Sequence, residues 1–172
     1  MDRSDLVAAN GPIFVGQGKA IESVASPSVK VITVGNPCNT NALIACANAP
    51  SIPSRQFTAM TRLDQNRAVG QIAEHAGVPA SHISDVFIWG NHANTMYPDP
   101  RFGTIEGVPV TDMFDAEWLQ GQFIETVSTR GKAIIVARGA SSAASAASAA
   151  IDHMRDWWQG SNGRIVSMAI PS

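Results

Sequence analysis

The sequence predicts an α/β fold that becomes α+β in its second half. Two observations supply the strands: the β-branched run Val29 to Val34 between Pro27 and Gly35, and the apolar run Val86 to Trp89 that ends at Gly90. The third is that helix-length segments with Gly or Pro stops are interleaved with these strands, which is the pattern of mixed layers. With 172 residues and 45% apolar content, the chain can bury one substantial core, so one globular domain or a large piece of one is expected.

In chain order, Arg3 to Ala9 reads as the end of a helix, because Asn10-Gly11 tolerates the left-handed backbone that stops one. After the first strand, Asn39 is placed to cap a helix through Ala42 to Ala47, which runs toward the breakers Pro50 and Pro53. Phe57 to Thr61 reads as a short strand handing over to a helix from Leu63 to His75, closed by Gly77 and Pro79. Gly103 to Val110 carries Gly107 between two short alternating runs and predicts a hairpin. Ala116 to Arg138 reads as a helix interrupted near Gly131. Ser141 to Trp158 follows as another helix, because the tract SSAASAASAA is rich in the best helix former and its small side chains suit close packing. Arg164 to Ala169 reads as a strand with no partner after it.

A net charge of −2 with scattered basic residues removes the electrostatic case for nucleic acid or an anionic membrane, and leaves a small or polar partner. The opening MDRSDLVAAN has no apolar stretch fit for a signal peptide or a membrane span. Cys38 and Cys46 fall in one helical segment, which favours reduced thiols and a cytoplasmic setting. With His75, His82 and His153 they show no convergent ligand spacing, so no metal site is expected.

The chemistry comes from a combination. Asp64 and Arg67 stand three apart on a helix, about 5–6 Å apart at Cβ, which by itself describes an ordinary surface ion pair. His92 follows a strand, and Asn36 follows another. A histidine at a strand exit, an Asp–Arg pair on a helix and an asparagine at a second strand exit can bind an anionic substrate and move its proton. Such groups collect at the polar end of a sheet, where α/β folds place ligands.

VGNPCNTNALIA at 34–45, TRLDQNRA at 61–68 and IWGNHANTMYPD at 88–99 closely resemble the NAD-dependent malate dehydrogenases of the cytosolic type, within the lactate/malate dehydrogenase superfamily. IFVGQGKA at 13–20 and ARGASSAASAA at 137–147 extend the resemblance over essentially the whole chain. The resemblance implies the end of a Rossmann-type parallel sheet followed by an incomplete C-terminal domain of that superfamily. Residues 1–36 would be the remnant of the dinucleotide-binding domain and 37–172 the substrate domain. It also implies hydride exchange between malate and NAD giving oxaloacetate, with His92 as acid/base and Asp64 orienting it. Arg67 would grip the C1 carboxylate, Asn36 would touch substrate and coenzyme, and Arg3 would polarise the reacting oxygen from a mobile loop. Asn10, Gln17, Val34 and Gly35 would line the coenzyme site, and Ser141 and Ser142 would face the active site, a helix start being an equally good reason for serine there.

Arg62 is assigned a packing or salt-bridge role, and Trp157 and Trp158 are read as core or interface aromatics. A homodimer is implied by the resemblance. No Gly-rich strand–turn–helix for the pyrophosphate, and no acidic ribose partner after it, is found in these residues. The chain therefore reads as truncated at both ends, with little turnover expected of it alone. Two alternatives stand beside this reading: a non-catalytic dimerising or binding module, and a dehydrogenase for another 2-hydroxy acid such as lactate.

Overall fold

The structure is a computed structural model, and it describes residues 3–171. The chain divides into two compact units, residues 1–60 with 168–172, and residues 61–167. The division falls after Met60, not after residue 36, because the helix and strand that follow residue 36 pack and pair with those before it.

In the first unit, α1 (Arg3–Val24) precedes β1 (Val31–Thr33), α2 (Cys38–Ala47) and β2 (Phe57–Ala59). β1 and β2 are parallel, with Val31 opposite Phe57 and Thr33 opposite Ala59. The helix does not stop at Asn10-Gly11. It runs on through Pro12, although proline removes one intrahelical bond. Packing against α2 overrides the local signal: Gly11 is buried, and a Cβ on Gly18 would lie 2.5 Å from the Ala45 carbonyl oxygen. Phe14 and Ile21 of α1 then join a core of Ala45, Ala49, Ile52 and Phe57. α2 begins one residue before Asn39, directly after Pro37, and has no side-chain cap. Proline's fixed φ and missing N–H suit it to a helix start, so Asn39 is inside the first turn and not its cap. Arg164 to Ala169 makes only an antiparallel bridge, Ala169 to Ala59.

The second unit opens with α3 (Arg62–Ala76), ending at Gly77 as expected. Short strands follow: β3 (Ile83–Ser84), β4 (Phe87–Trp89), β5 (Tyr97–Asp99), β6 (Thr104–Ile105) and β7 (Val108–Pro109). β4 and β5 form an antiparallel pair, and β3, β6 and β7 a second antiparallel sheet. The predicted hairpin is β6–β7, whose two turn residues Glu106 and Gly107 have φ of 52° and 88°, the conformation of a tight two-residue hairpin turn.

α4 (Val110–Met113), α5 (Ala116–Gln120), α6 (Gln122–Arg138) and α7 (Ala143–Gln159) complete the unit. The predicted interruption occurs at Gly121, where a Cβ would lie 2.8 Å from the Glu117 carbonyl, and α6 runs unbroken through Gly131. The Ala/Ser tract is helical in α7, but of residues 143–150 only Ala149 is buried, so it is not the closely packed surface expected. Ile72, Val86, Val110, Phe123 and Val127 form the core of this unit. Trp158 is 73% exposed and so is not a core residue, whereas Trp157 packs edge-on to buried His153.

Candidate active site

α3 carries Arg62, Asp64 and Arg67 on its first two turns. Arg62 is buried and its Nη2 donates to Asp156 Oδ2 at 2.5 Å, the salt-bridge role expected of it. Arg164 Nη2 approaches the other Asp156 oxygen at 3.1 Å. Burial pushes the Asp156 carboxyl up, but the hydrogen bond and charge of Arg62, with Arg164 and Arg155, outweigh it and hold it below its usual range.

Asp64 is fully buried. One of its oxygens lies 2.5 Å from His92 Nδ1, and the other 3.5 Å from Arg67 Nη1. One carboxylate thus touches both the histidine and the guanidinium singled out in the sequence. The i,i+3 spacing makes the second contact possible, and the β4–β5 turn brings His92 to the first.

The Arg67 side chain is only 12% exposed, and its Nη2 donates to Ser142 Oγ at 3.3 Å, just before α7. Burial pushes its pKa down, Asp64 opposes this and Arg130 adds to it, yet an arginine stays charged throughout. Sequence reasoning missed the meaning of Gly131. A Cβ there would sit 3.6 Å from Arg67 Nη1, an ordinary contact, so the guanidinium packs directly against α6 at this glycine. A glycine that costs helix stability without ending the helix is the sequence signal for such close packing.

A carboxylate acceptor at Nδ1 takes that nitrogen's hydrogen and leaves Nε2 as the atom that exchanges a proton. The His92 side chain is 20% exposed, so it is open to a ligand on one side while anchored on the other. A half-buried guanidinium on the other oxygen of the same carboxylate suits a planar two-oxygen anion. Together these groups can hold a small carboxylic acid and move a proton on an adjacent oxygen.

In the first unit, Val34, Gly35 and Asn36 are exposed at the carboxyl end of parallel β1. Asn10 Nδ2 donates to the Asn36 carbonyl at 2.6 Å, and buried Asn41 Nδ2 donates to the Gly35 carbonyl at 2.9 Å. A Cβ on Gly35 would lie 3.2 Å from Phe14 Cζ. Asn10, Gly35 and Asn36 are therefore brought together. Gln17 is exposed on α1, one turn beyond Phe14. The Arg3 side chain lies outside the described residues.

His75 stacks on Trp118 with ring centroids 3.9 Å apart, and His82 pairs with Glu106 at 3.1 Å. Among the described residues no group of three or more His, Cys, Asp or Glu side chains could hold a metal ion, and no helix is long and apolar enough to cross a membrane.

A short parallel strand pair with α2 packed on it and α1 packed on α2, and a separate unit in which one buried carboxylate joins a histidine and an arginine, form an α/β arrangement. The family models agree: the NAD binding domain of lactate/malate dehydrogenase matches residues 1–58, and the lactate/malate dehydrogenase α/β C-terminal domain matches residues 61–172. The chain belongs to the lactate/malate dehydrogenase family. It is similar to malate dehydrogenase from Naegleria fowleri, with 49% identity and a TM-score of 0.90, covering 100% of this chain and 53% of that one. It is also similar to Trichomonas vaginalis lactate dehydrogenase in complex with NADH and oxamate, with 36% identity and a TM-score of 0.94 over 99% of this chain and 53% of that one. A third likeness is to malate dehydrogenase from Salinibacter ruber, with 27% identity and a TM-score of 0.88, covering 99% of this chain and 55% of that one. The chain spans about half the length of these structures.

Proposed function

We propose that this chain carries the acid/base and carboxylate-binding groups of an NAD-dependent malate dehydrogenase. The observation that carries the proposal is the shared carboxylate of Asp64, 2.5 Å from His92 Nδ1 and 3.5 Å from Arg67 Nη1. Malate oxidation needs a base for the C2 hydroxyl proton and oxaloacetate reduction needs an acid for the same oxygen. His92 Nε2 serves both, because the Asp64 carboxylate at Nδ1 fixes the ring and leaves Nε2 for the substrate. Arg67, steadied by Ser142 and packed against α6 at Gly131, holds the C1 carboxylate, and that hold orients C2 toward His92.

The residues at the end of β1 fit a dinucleotide: an exposed turn at the carboxyl end of a parallel strand, its carbonyls clamped by Asn10 and Asn41, is where such folds receive one. Val34, Gly35, Asn36 and Asn10 would hold the coenzyme, with Gln17 further along α1. When bound, NAD accepts or returns the hydride. Arg3 would add a second positive charge beside the reacting oxygen. Malate is preferred over lactate because the motifs resemble malate dehydrogenases and the identity to the Naegleria fowleri enzyme is 49%. A cytoplasmic homodimer completes the reading.

Titration calorimetry tests this on the purified chain. Malate binds more tightly than lactate, and Arg67→Lys weakens malate by about tenfold, through loss of a two-pronged donor. Equal affinity of Arg67→Lys and the unaltered protein for malate would overturn the assignment.

A further inference from the structure

Asp99 is fully buried, yet nothing above gives it a role. Its carboxylate is saturated. Oδ1 accepts from the Arg101 backbone N–H at 3.0 Å and from Arg101 Nε at 2.9 Å. Oδ2 accepts from Arg101 Nη2 at 2.7 Å and from the Trp89 indole N–H at 2.9 Å. Trp89 is the last residue of β4 and Asp99 the last of β5, and residues 90–96 between these strands carry His92.

β4 and β5 pair over only three residues, with Phe87 opposite Asp99 and Trp89 opposite Tyr97. A three-residue ladder is a weak base for a seven-residue turn. The Trp89–Asp99 bond joins side chains two ladder positions apart, and so fixes the strand end from which the turn springs. Within the turn, Ala93 and Met96 are buried, and Met96 N–H donates to the Ala93 carbonyl. The turn is thus held within by the burial of Ala93 and Met96, and at Trp89, the strand residue before it, by the bond to Asp99.

We infer that Asp99, acting through Trp89 and braced by Arg101, is a positioning residue that holds the turn bearing His92 so that Nδ1 meets Asp64. The inference rests on the reading of His92 as the acid/base group. Hydrogen bonds from Arg101 hold the Asp99 carboxyl below its usual range despite burial, so the clamp stays ionised at neutral pH. Its charge is matched by Arg101 on the exposed side, and its reach to Trp89 is what couples it to the turn.

The test compares Asp99→Asn and Trp89→Phe with the unaltered chain. Trp89→Phe keeps an aromatic ring and leaves the Arg101 pair whole, so it removes only the indole donor. NMR of the histidine-labelled protein reads hydrogen exchange at His92 Nδ1, and oxamate titration reads the carboxylate grip of Arg67. Both variants are expected to lose about tenfold in exchange protection at His92 Nδ1, the equivalent of one hydrogen bond, while oxamate affinity changes by less than about threefold. A purely structural role would lower the melting temperature and leave His92 protection in the folded protein unchanged. If Trp89→Phe folds and its His92 protection is within about twofold of the unaltered protein, the inference is overturned, whether or not Asp99→Asn folds. Absence of any oxamate-induced shift at His92 in the unaltered protein would instead count against the dehydrogenase reading, and the exchange comparison would still decide the clamp.

Discussion

Replacing Asp64 by asparagine keeps the shape of the site and removes its one buried charge. The amide can satisfy both neighbours in a single orientation: its oxygen toward Arg67, 3.5 Å away, and its NH2 toward His92 Nδ1, 2.5 Å away. Nδ1 must then accept, and the ring hydrogen moves to Nε2. Two charge-assisted contacts become neutral or weaker, a loss of about 1 kcal/mol each. The 3.5 Å Arg67 contact is long and belongs at the low end of that range. The Arg67 side chain, 12% exposed, retains Ser142 as a partner, so the larger cost of stranding a buried charge is only partly incurred. The sum is a destabilisation of about 2 kcal/mol. Urea denaturation measures it, and nitrogen chemical shifts of His92 report which ring nitrogen carries the hydrogen. Unchanged stability to within about 0.5 kcal/mol, with the hydrogen still on Nδ1, would refute the claim that Asp64 sets the ring.

Gly131→Ala should stabilise the protein by up to about 1 kcal/mol, because a Cβ makes only ordinary contact with Arg67 and helix propensity improves. Gly131→Leu should displace the guanidinium and weaken malate by about tenfold or more in calorimetry, with no loss of melting temperature. Buried His153 is held neutral down to about 4, first by burial and then by the Arg62 charge, with Asp156 opposing. A histidine with a depressed folded-state value favours folding above its unfolded value of about 6.5. That contribution is lost as pH falls from there toward 4, about 2 kcal/mol of it by about pH 5. Denaturation of His153→Asn across the same window should show a shallower slope, and an equal slope would contradict this assignment.

The α/β class of the fold was legible in the sequence, and so was the set of residues that meet on one carboxylate. Asp64, Arg67 and His92 stand out only in combination and their roles are implied by the resemblance, while the structure brings all three side chains together. These are local signals, set by helix periodicity and by the end of an apolar run. Two of the misreadings share a physical origin, which is that glycine has several uses. Asn10-Gly11 reads as a stop but lies inside α1, where Gly11 is buried and the absence of a Cβ on Gly18 lets α2 approach. Gly131 reads as a break but lies inside α6 in contact with Arg67, while the break is at Gly121. A local pattern cannot tell backbone freedom from close approach, because the second depends on residues far away in the chain. Asp99 was hidden for the same reason. Its partners Trp89 and Arg101 become evident only once β4 and β5 are paired.

A crystal structure of the chain with oxamate tests the central claim most directly. The account predicts the oxamate carboxylate against both terminal nitrogens of Arg67, and its carbonyl oxygen within hydrogen-bonding distance of His92 Nε2. Oxamate bound elsewhere, or held by Arg67 with His92 facing away from it, would contradict the account.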